Sequence, residues 1–291
     1  MRPWENFAFM VTLGAVLGAL TGGVPAYAKE VSTASLIFAM TFSLTEVRFR
    51  GLSPRDEVRG FGRAFFWNYV VLSGLILGLS FLYQDDAIRG GWVVMAAGPS
   101  AVAVIPLTAT YRGNTRTALV STALLYLAAL GLYPLVTLAF AGQAVDVTEL
   151  GVQTLLQIAL PLIISRPLSK SGAIGRHRRL IVNVSFLVLV FAITGSNRSV
   201  FYQEPGLIAA LAGGAFVRTW VAGLAVFVIS GRMGSSREQR VSDTLFASLK
   251  NLALAALLAL ALFGPLAALP AIVSLFLEIA WLVPMQRMFR R

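Results

Sequence analysis

Residues 91–110 read GWVVMAAGPSAVAVIPLTAT, an uncharged stretch interrupted at its centre by Gly98-Pro99-Ser100 and again by Pro106. A run of about 20 apolar residues is the length an α-helix needs to cross the hydrocarbon of a bilayer. Proline, however, removes an amide donor and clashes with the preceding turn, and lipid cannot satisfy the backbone groups thereby freed. The stretch therefore predicts a broken membrane helix whose break faces protein or a cavity.

The rest of the chain fits that setting. It has 291 residues, 57% of them hydrophobic and 13% charged, against about 25% charged in soluble domains. Ten apolar segments can be drawn, at approximately 7–26, 31–47, 64–82, 91–110, 117–141, 147–165, 180–196, 206–229, 243–263 and 267–286. This composition excludes a water-soluble globule and predicts an all-α polytopic membrane protein with the lipid bilayer as its surroundings. Zero cysteines and a single histidine exclude disulfides, thiol nucleophiles and histidine-rich metal centres. No H-E-x-x-H, P-loop or nucleophile elbow occurs, so neither an enzyme nor a cofactor is expected.

The net charge of +11 could signal nucleic-acid binding, but position assigns it to topology. With both termini cytoplasmic, the inner connectors collect Arg48, Arg50, Arg55, Arg59 and Arg63, then Arg112 and Arg116, then Arg166, Lys170, Arg176, Arg178 and Arg179, then Arg232, Arg237 and Arg240. The outer ones keep Lys29, Arg89 and Arg198. This is the positive-inside pattern of a plasma membrane of prokaryotic type. The cluster Arg176-His177-Arg178-Arg179 reads as a solvated cytoplasmic loop, nearer to anionic lipid than to any nucleic acid. Residues 1–28 can be read as a secretory signal ending at Ala26-Tyr27-Ala28, or as a retained helix. Glu5 and the G-x-x-x-G spacing of Gly14, Gly18 and Gly22 favour the helix.

The chain divides around 142–146 into halves of five segments each, 1–145 and 146–291. An odd number of spans per half requires two repeats of one fold to lie inverted in the membrane, the plan of many secondary transporters. In such plans broken helices occupy matching positions. The match to 91–110 is 243–263, where Ser248-Leu249-Lys250-Asn251 precedes an uncharged run, although no glycine or proline marks a break there.

Arg218, Lys250 and Glu278 stand inside apolar segments. Each costs at least about 2.5 kcal/mol at the centre of a lipid-facing helix, so they are expected to face protein, water or one another. One arrangement is a Lys250–Glu278 ion pair with Arg218 reaching an interface; another leaves a cation for a ligand. Glu46 beside Arg48 reads as a local surface pair. Ser121, Thr122, Asn183, Ser185 and Thr219 could line a passage or bridge helices. Trp67, Tyr69, Tyr83, Trp92, Tyr202 and Trp281 read as an interfacial belt.

The stretch Ala97-Gly98-Pro99-Ser100 through Tyr111-Arg112-Gly113-Asn114, followed by Thr117 to Leu127, resembles the bile acid:sodium symporter family. That family breaks its fourth span at a proline-glycine pair and turns into the fifth through an arginine-glycine-asparagine or similar sequence. Lys250 to Ala255 and Pro265 to Ala271 extend the resemblance to the ninth span and the start of the tenth. The resemblance implies ten transmembrane helices in two inverted five-helix repeats with broken, crossing fourth and ninth helices. It also implies a panel (helices in 1–60 and 147–200) and a core (61–141 and 201–291), with a small organic anion bound between them beside two sodium ions.

The sodium ligands do not carry over. Val104 and Ile105 stand where serine and asparagine would ligate, Ala118 replaces another hydroxyl, Phe246 replaces a glutamate and Lys250 a glutamine, while Thr122 keeps its oxygen. Hydrocarbon side chains offer a hard cation nothing. The expectation is an anion transporter in which Lys250 supplies the sodium charge, with Thr122 and Glu278 as further ion-coupling residues, operating with protons or by facilitated passage. Arg218, Glu278, Pro99, Ser100 and Asn251 are the expected substrate residues. Absence of cysteine argues against the related arsenite carriers. A cation/proton exchanger, which would lack its usual aspartate pair here, and a non-transporting membrane receptor remain the other readings.

Overall fold

The computed structural model describes residues 3–45, 57–141, 147–169 and 171–289. Among them the chain is helical, with no strand. Six stretches are long and apolar enough to cross a membrane: Val58–Ser80, Thr115–Phe140, Thr148–Leu168, His177–Ser196, Pro205–Arg232 and Pro265–Phe289. Glu46, Arg48 and the midpoint at 142–146 lie outside the described residues.

Helix α1 (Phe7–Thr21) starts where the Asn6 side chain accepts from the Phe9 amide at 3.2 Å and stops at Gly22, whose φ of 85° suits glycine. It lies against α10 (Gly172–Ser196). A Cβ on Gly18 would come within 2.5 Å of the Phe191 carbonyl, so the G-x-x-x-G spacing sets this close approach. Helix α2 (Ala28–Leu44) packs on α10 from another side and also touches α9 (Leu160–Leu168), which continues α8 (Val147–Thr154) through a π-turn at Leu155–Ala159.

Two other stretches carry π-turns, which widen the helix by one residue per turn and are common at functional sites. One joins α3 (Val58–Phe65) to α4 (Ser73–Ser80) through Phe66–Leu72. After the short α11 (Arg198–Gln203), the other joins α12 (Pro205–Phe216) to α13 (Ala222–Arg232) through Val217–Val221.

The stretch 91–110 is broken where its sequence requires. Helix α5 (Asp86–Ala97) is capped by Asp85, which accepts from the Ile88 amide at 2.9 Å. It ends at Gly98, extended at φ −67° and ψ 152° because a residue followed by proline is pushed out of helical geometry. The return helix α6 (Val104–Thr110) takes Pro106 in its first turn, where a missing N–H costs nothing. Pro106 therefore belongs to a helix start and not to the break. Next comes α7 (Thr115–Ala141).

The segment 243–263 is also broken. Helix α14 (Arg237–Phe246) stops before Ala247, and α15 (Leu252–Phe263) begins with Asn251 as its N-cap, its Oδ1 accepting from the Leu254 amide at 3.2 Å. Helix α16 (Leu269–Phe289) completes the described chain and packs on α5, α12 and α15. Trp67, Trp92 and Trp281 are buried, correcting the interfacial-belt expectation for them; Tyr202 is exposed.

Candidate functional site

The two breaks meet. Ser100 and Lys250 form an isolated antiparallel bridge, and the Asn251 amide donates to the Pro99 carbonyl at 2.9 Å. Each break thus satisfies part of the backbone that the other frees, which is the accounting that buried polar backbone demands.

Lys250 supplies what the backbone cannot. Its ammonium donates to Asn68 Oδ1 at 3.2 Å, Ser73 Oγ at 2.8 Å, the Ala96 carbonyl at 3.1 Å and the Gly98 carbonyl at 2.5 Å. The Tyr69 ring centroid lies 4.7 Å away. Ala96 and Gly98 end α5, so the cation sits on the negative pole of that helix and on carbonyls that have no next turn to bind. An ammonium has three N–H donors, and these acceptors use all of them. Asn68 holds the crossing from a second direction, donating through Nδ2 to the Phe246 carbonyl, the last of α14, at 3.1 Å.

Arg218, in the π-turn between α12 and α13, is fully buried and forms an ion pair with Glu278 of α16. Only its Nη2 finds an acceptor; Nε and Nη1 have none. The same carboxylate oxygen, Glu278 Oε1, accepts from the backbone amide of Lys250 at 3.0 Å. The structure therefore pairs Arg218 with Glu278 and gives the Lys250 ammonium to neutral oxygens, which differs from a Lys250–Glu278 side-chain pair.

Beside the crossing lies a cavity of about 420 Å³. Its walls are mainly apolar, including Phe7 of α1, Met40 of α2 and Phe186 of α10. Opposite stand Ala101, Val102 and Ala103, which lead into α6, and Leu249 to Ala253, which lead into α15. The helices that follow both breaks thus begin at the cavity, and the N-terminus of the longer one, α15, carries partial positive charge. Its ionisable lining residues are Lys250, Arg178, Arg179 and Glu278.

A family model described as the SBF-like CPA transporter family matches residues 51–283. The chain belongs to that family. The SBF-like CPA transporter family is bile acid:sodium symporter-like, so the resemblance read from the two breaks is to the right relatives. With its apolar helices, membership makes the chain a membrane transporter and not a member of an enzyme family. No curated protein matches it.

In this SBF-like chain the residues singled out from sequence divide by position. Glu278, Lys250 and Asn251 line the cavity, whereas Arg218, Pro99, Ser100 and Thr122 do not. Arg218 is joined to the cavity wall by its ion pair with Glu278. Asn251 uses its amide on Tyr126 Oη at 2.6 Å. The hydroxyls of Ser100 and Thr122 are buried without a partner. Of Ser121, Thr122, Asn183, Ser185 and Thr219, only Asn183 lines the cavity, its amide donating to the Trp4 carbonyl at 3.0 Å. Val104, Ala118 and Phe246 are buried in one hydrophobic cluster with Leu125 and Leu245, and Ile105 is buried in another.

Sequence reasoning missed Arg178, Arg179, Asn68 and Ser73. The first two belong to helix α10 and face the cavity, correcting their reading as a loop. A helix that starts at 172 places residues 178, 179, 182, 183 and 186 along one face, and that spacing was available in the sequence. Nothing in the sequence marked the π-turn that presents Asn68.

Proposed function

We propose that this chain is a secondary transporter of small organic anions that works by alternating access and needs no sodium. The observation that carries this reading is the Lys250 ammonium, held by four oxygens where the two interrupted helices meet. A family whose cargo travels with sodium needs cations at its crossing; here one is covalently attached. By the same resemblance Val104, Ile105, Ala118 and Phe246 put hydrocarbon where the family's sodium ligands would stand, which a hard cation does not accept, and Thr122 alone keeps an oxygen there.

The cavity supports the choice of an anion. Among the described residues three of its four ionisable lining residues are basic, and the start of α15 adds dipolar positive charge. Its apolar walls suit a carboxylate or sulfonate with a hydrocarbon body. On this reading ten crossings form two inverted repeats of five. The panel comprises the helices in 1–60 and 147–200, the core those in 61–141 and 201–291, and their relative movement exposes the cavity to either side. Transport is then proton-coupled or facilitative. Cation/proton exchange fits less well, because the lining carboxylate Glu278 already has a buried basic partner.

Uptake into liposomes containing the purified chain tests the reading. Labelled naphthalene-2-sulfonate and a panel of monocarboxylates are offered with and without a sodium gradient. Saturable flux that is the same in both is expected, and steep sodium dependence overturns it. Thermal stabilisation by these anions without flux would point to a receptor.

A further inference from the structure

Among the described residues Glu278 is the only carboxylate that lines the cavity, and behind it Arg218 is fully buried with two donor nitrogens that no described acceptor meets. The charged groups facing Glu278 are Arg218 from the turn between α12 and α13, Lys250 from the crossing, and Arg178 and Arg179 across the cavity on α10. All are basic. Lys250 is already committed to neutral oxygens through all its N–H groups, which leaves Arg218 and Glu278 as the pair whose bond can change.

We propose that Glu278 carries the coupling proton and that one proton and one anion cross together, the anion taking the place of Glu278 on Arg218. The inference rests on reading the cavity as an anion site. Consider each event alone. Protonating Glu278 leaves a buried guanidinium without a counter-charge, which proteins tolerate poorly. Bringing an anion beside an ionised Glu278 places two like charges in one site, which repel one another.

Both together restore the balance. The proton comes from solvent on the entry side to a Glu278 oxygen; the anion accepts from the Nη2 that Glu278 gives up and from the unmet Nε and Nη1 donors of Arg218. The neutral carboxyl keeps an oxygen for the Lys250 amide. On the exit side the anion leaves, the proton returns to solvent and Glu278 rebinds Arg218. No other bond changes, and for a monoanion the cycle moves no net charge.

Naphthalene-2-sulfonate is the suitable probe because it stays ionised throughout the working pH range, so any pH dependence belongs to the protein. Equilibrium binding of the labelled probe to the full chain in detergent is measured from pH 5 to pH 9, with proton uptake followed by an indicator dye in weak buffer. The wild-type protein should take up one proton per anion bound at the alkaline end, its affinity falling about tenfold per pH unit there. Glu278→Gln, checked for folding by its thermal melt, should bind with pH-independent affinity and no proton uptake.

Binding by the wild-type protein without proton uptake overturns the coupling role while leaving the anion reading intact. A pH dependence that survives in Glu278→Gln does the same. Absence of binding at every pH removes the anion reading and the coupling with it. The wild-type proton count decides the question even if the variant fails to fold.

Discussion

Ser100 and Lys250 face one another across the crossing, one in each interrupted stretch, and the two breaks are completed in different ways. The first break follows from its own residues: Pro99 forces Gly98 out of the helix, and the carbonyls left at the end of α5 are then bound by a cation from the other break. The second contains neither glycine nor proline. It persists because Asn251 starts a new helix, Asn68 binds the end of the old one, and the Lys250 side chain is drawn away to α5. One break is a local property of sequence and the other is imposed by partners distant in the chain.

The sharpest way to break this asymmetry is to remove the cation. Lys250→Ala leaves the oxygens of Asn68, Ser73, Ala96 and Gly98 without their common donor. Each buried polar group left unsatisfied costs about 1–3 kcal/mol, and relief of the buried ammonium offsets a part. A net loss on the order of 3–5 kcal/mol is expected, read as a lower unfolding midpoint in detergent. The vacated oxygens are a hard-cation ligand set. Sodium should therefore raise the melting temperature of Lys250→Ala and leave that of the wild-type protein unchanged; equal responses would refute the stand-in role of the ammonium.

Arg218→Gln tests the other buried cation. Glutamine keeps an amide donor for Glu278 but leaves a buried carboxylate without its counter-charge, so a stability loss of about 3–5 kcal/mol is expected here too. Affinity for naphthalene-2-sulfonate should fall about ten- to hundredfold, the worth of one charge-assisted hydrogen bond. Unchanged affinity would show that the anion stays with Arg178 and Arg179 and never reaches Arg218.

These two residues also mark how far sequence could see. Arg218, Lys250 and Glu278 stood out because charge within apolar segments is costly, and all three are buried around the crossing or its cavity. The partnership among them was not legible, since residues 218, 250 and 278 become neighbours only through helix packing. The first break was readable from Gly98-Pro99, and the second half-readable, because asparagine before the run Leu252–Phe263 is an ordinary helix-start signal. Asn68 escaped notice because π-turns carry no residue signature comparable to proline or glycine. Arg178 and Arg179 were misread because basic residues at a helix end look the same whether they meet solvent or a cavity. The buried Trp67, Trp92 and Trp281 show the same limit for aromatic residues.

Asn251→Ala sharpens the comparison at intermediate size. It removes the cap on Leu254 and the bond to Tyr126 Oη. A lost N-cap costs about 1 kcal/mol, and an orphaned buried partner adds a similar amount. If the second break depends on its cap, hydrogen exchange at the start of α15 should accelerate as well, while α6 exchanges as before. Equal acceleration in both arms would mean that the crossing opens as one unit and that the cap is not a local device.

Ser100→Ala should do least. Ser100 occupies the bridge position opposite Lys250, yet its hydroxyl is buried with no partner, whereas the serine bound to the ammonium is Ser73. A hydroxyl that has lost water and gained nothing is a cost to the folded state. Replacing it with a methyl group should leave stability within about 0.5 kcal/mol of wild type or raise it slightly. Anion affinity should not change, because Ser100 does not line the cavity. A loss of binding without a loss of stability would mean that the hydroxyl turns to the anion during the transport cycle. In that case the first break, and not only the second, would supply a side chain to the cargo.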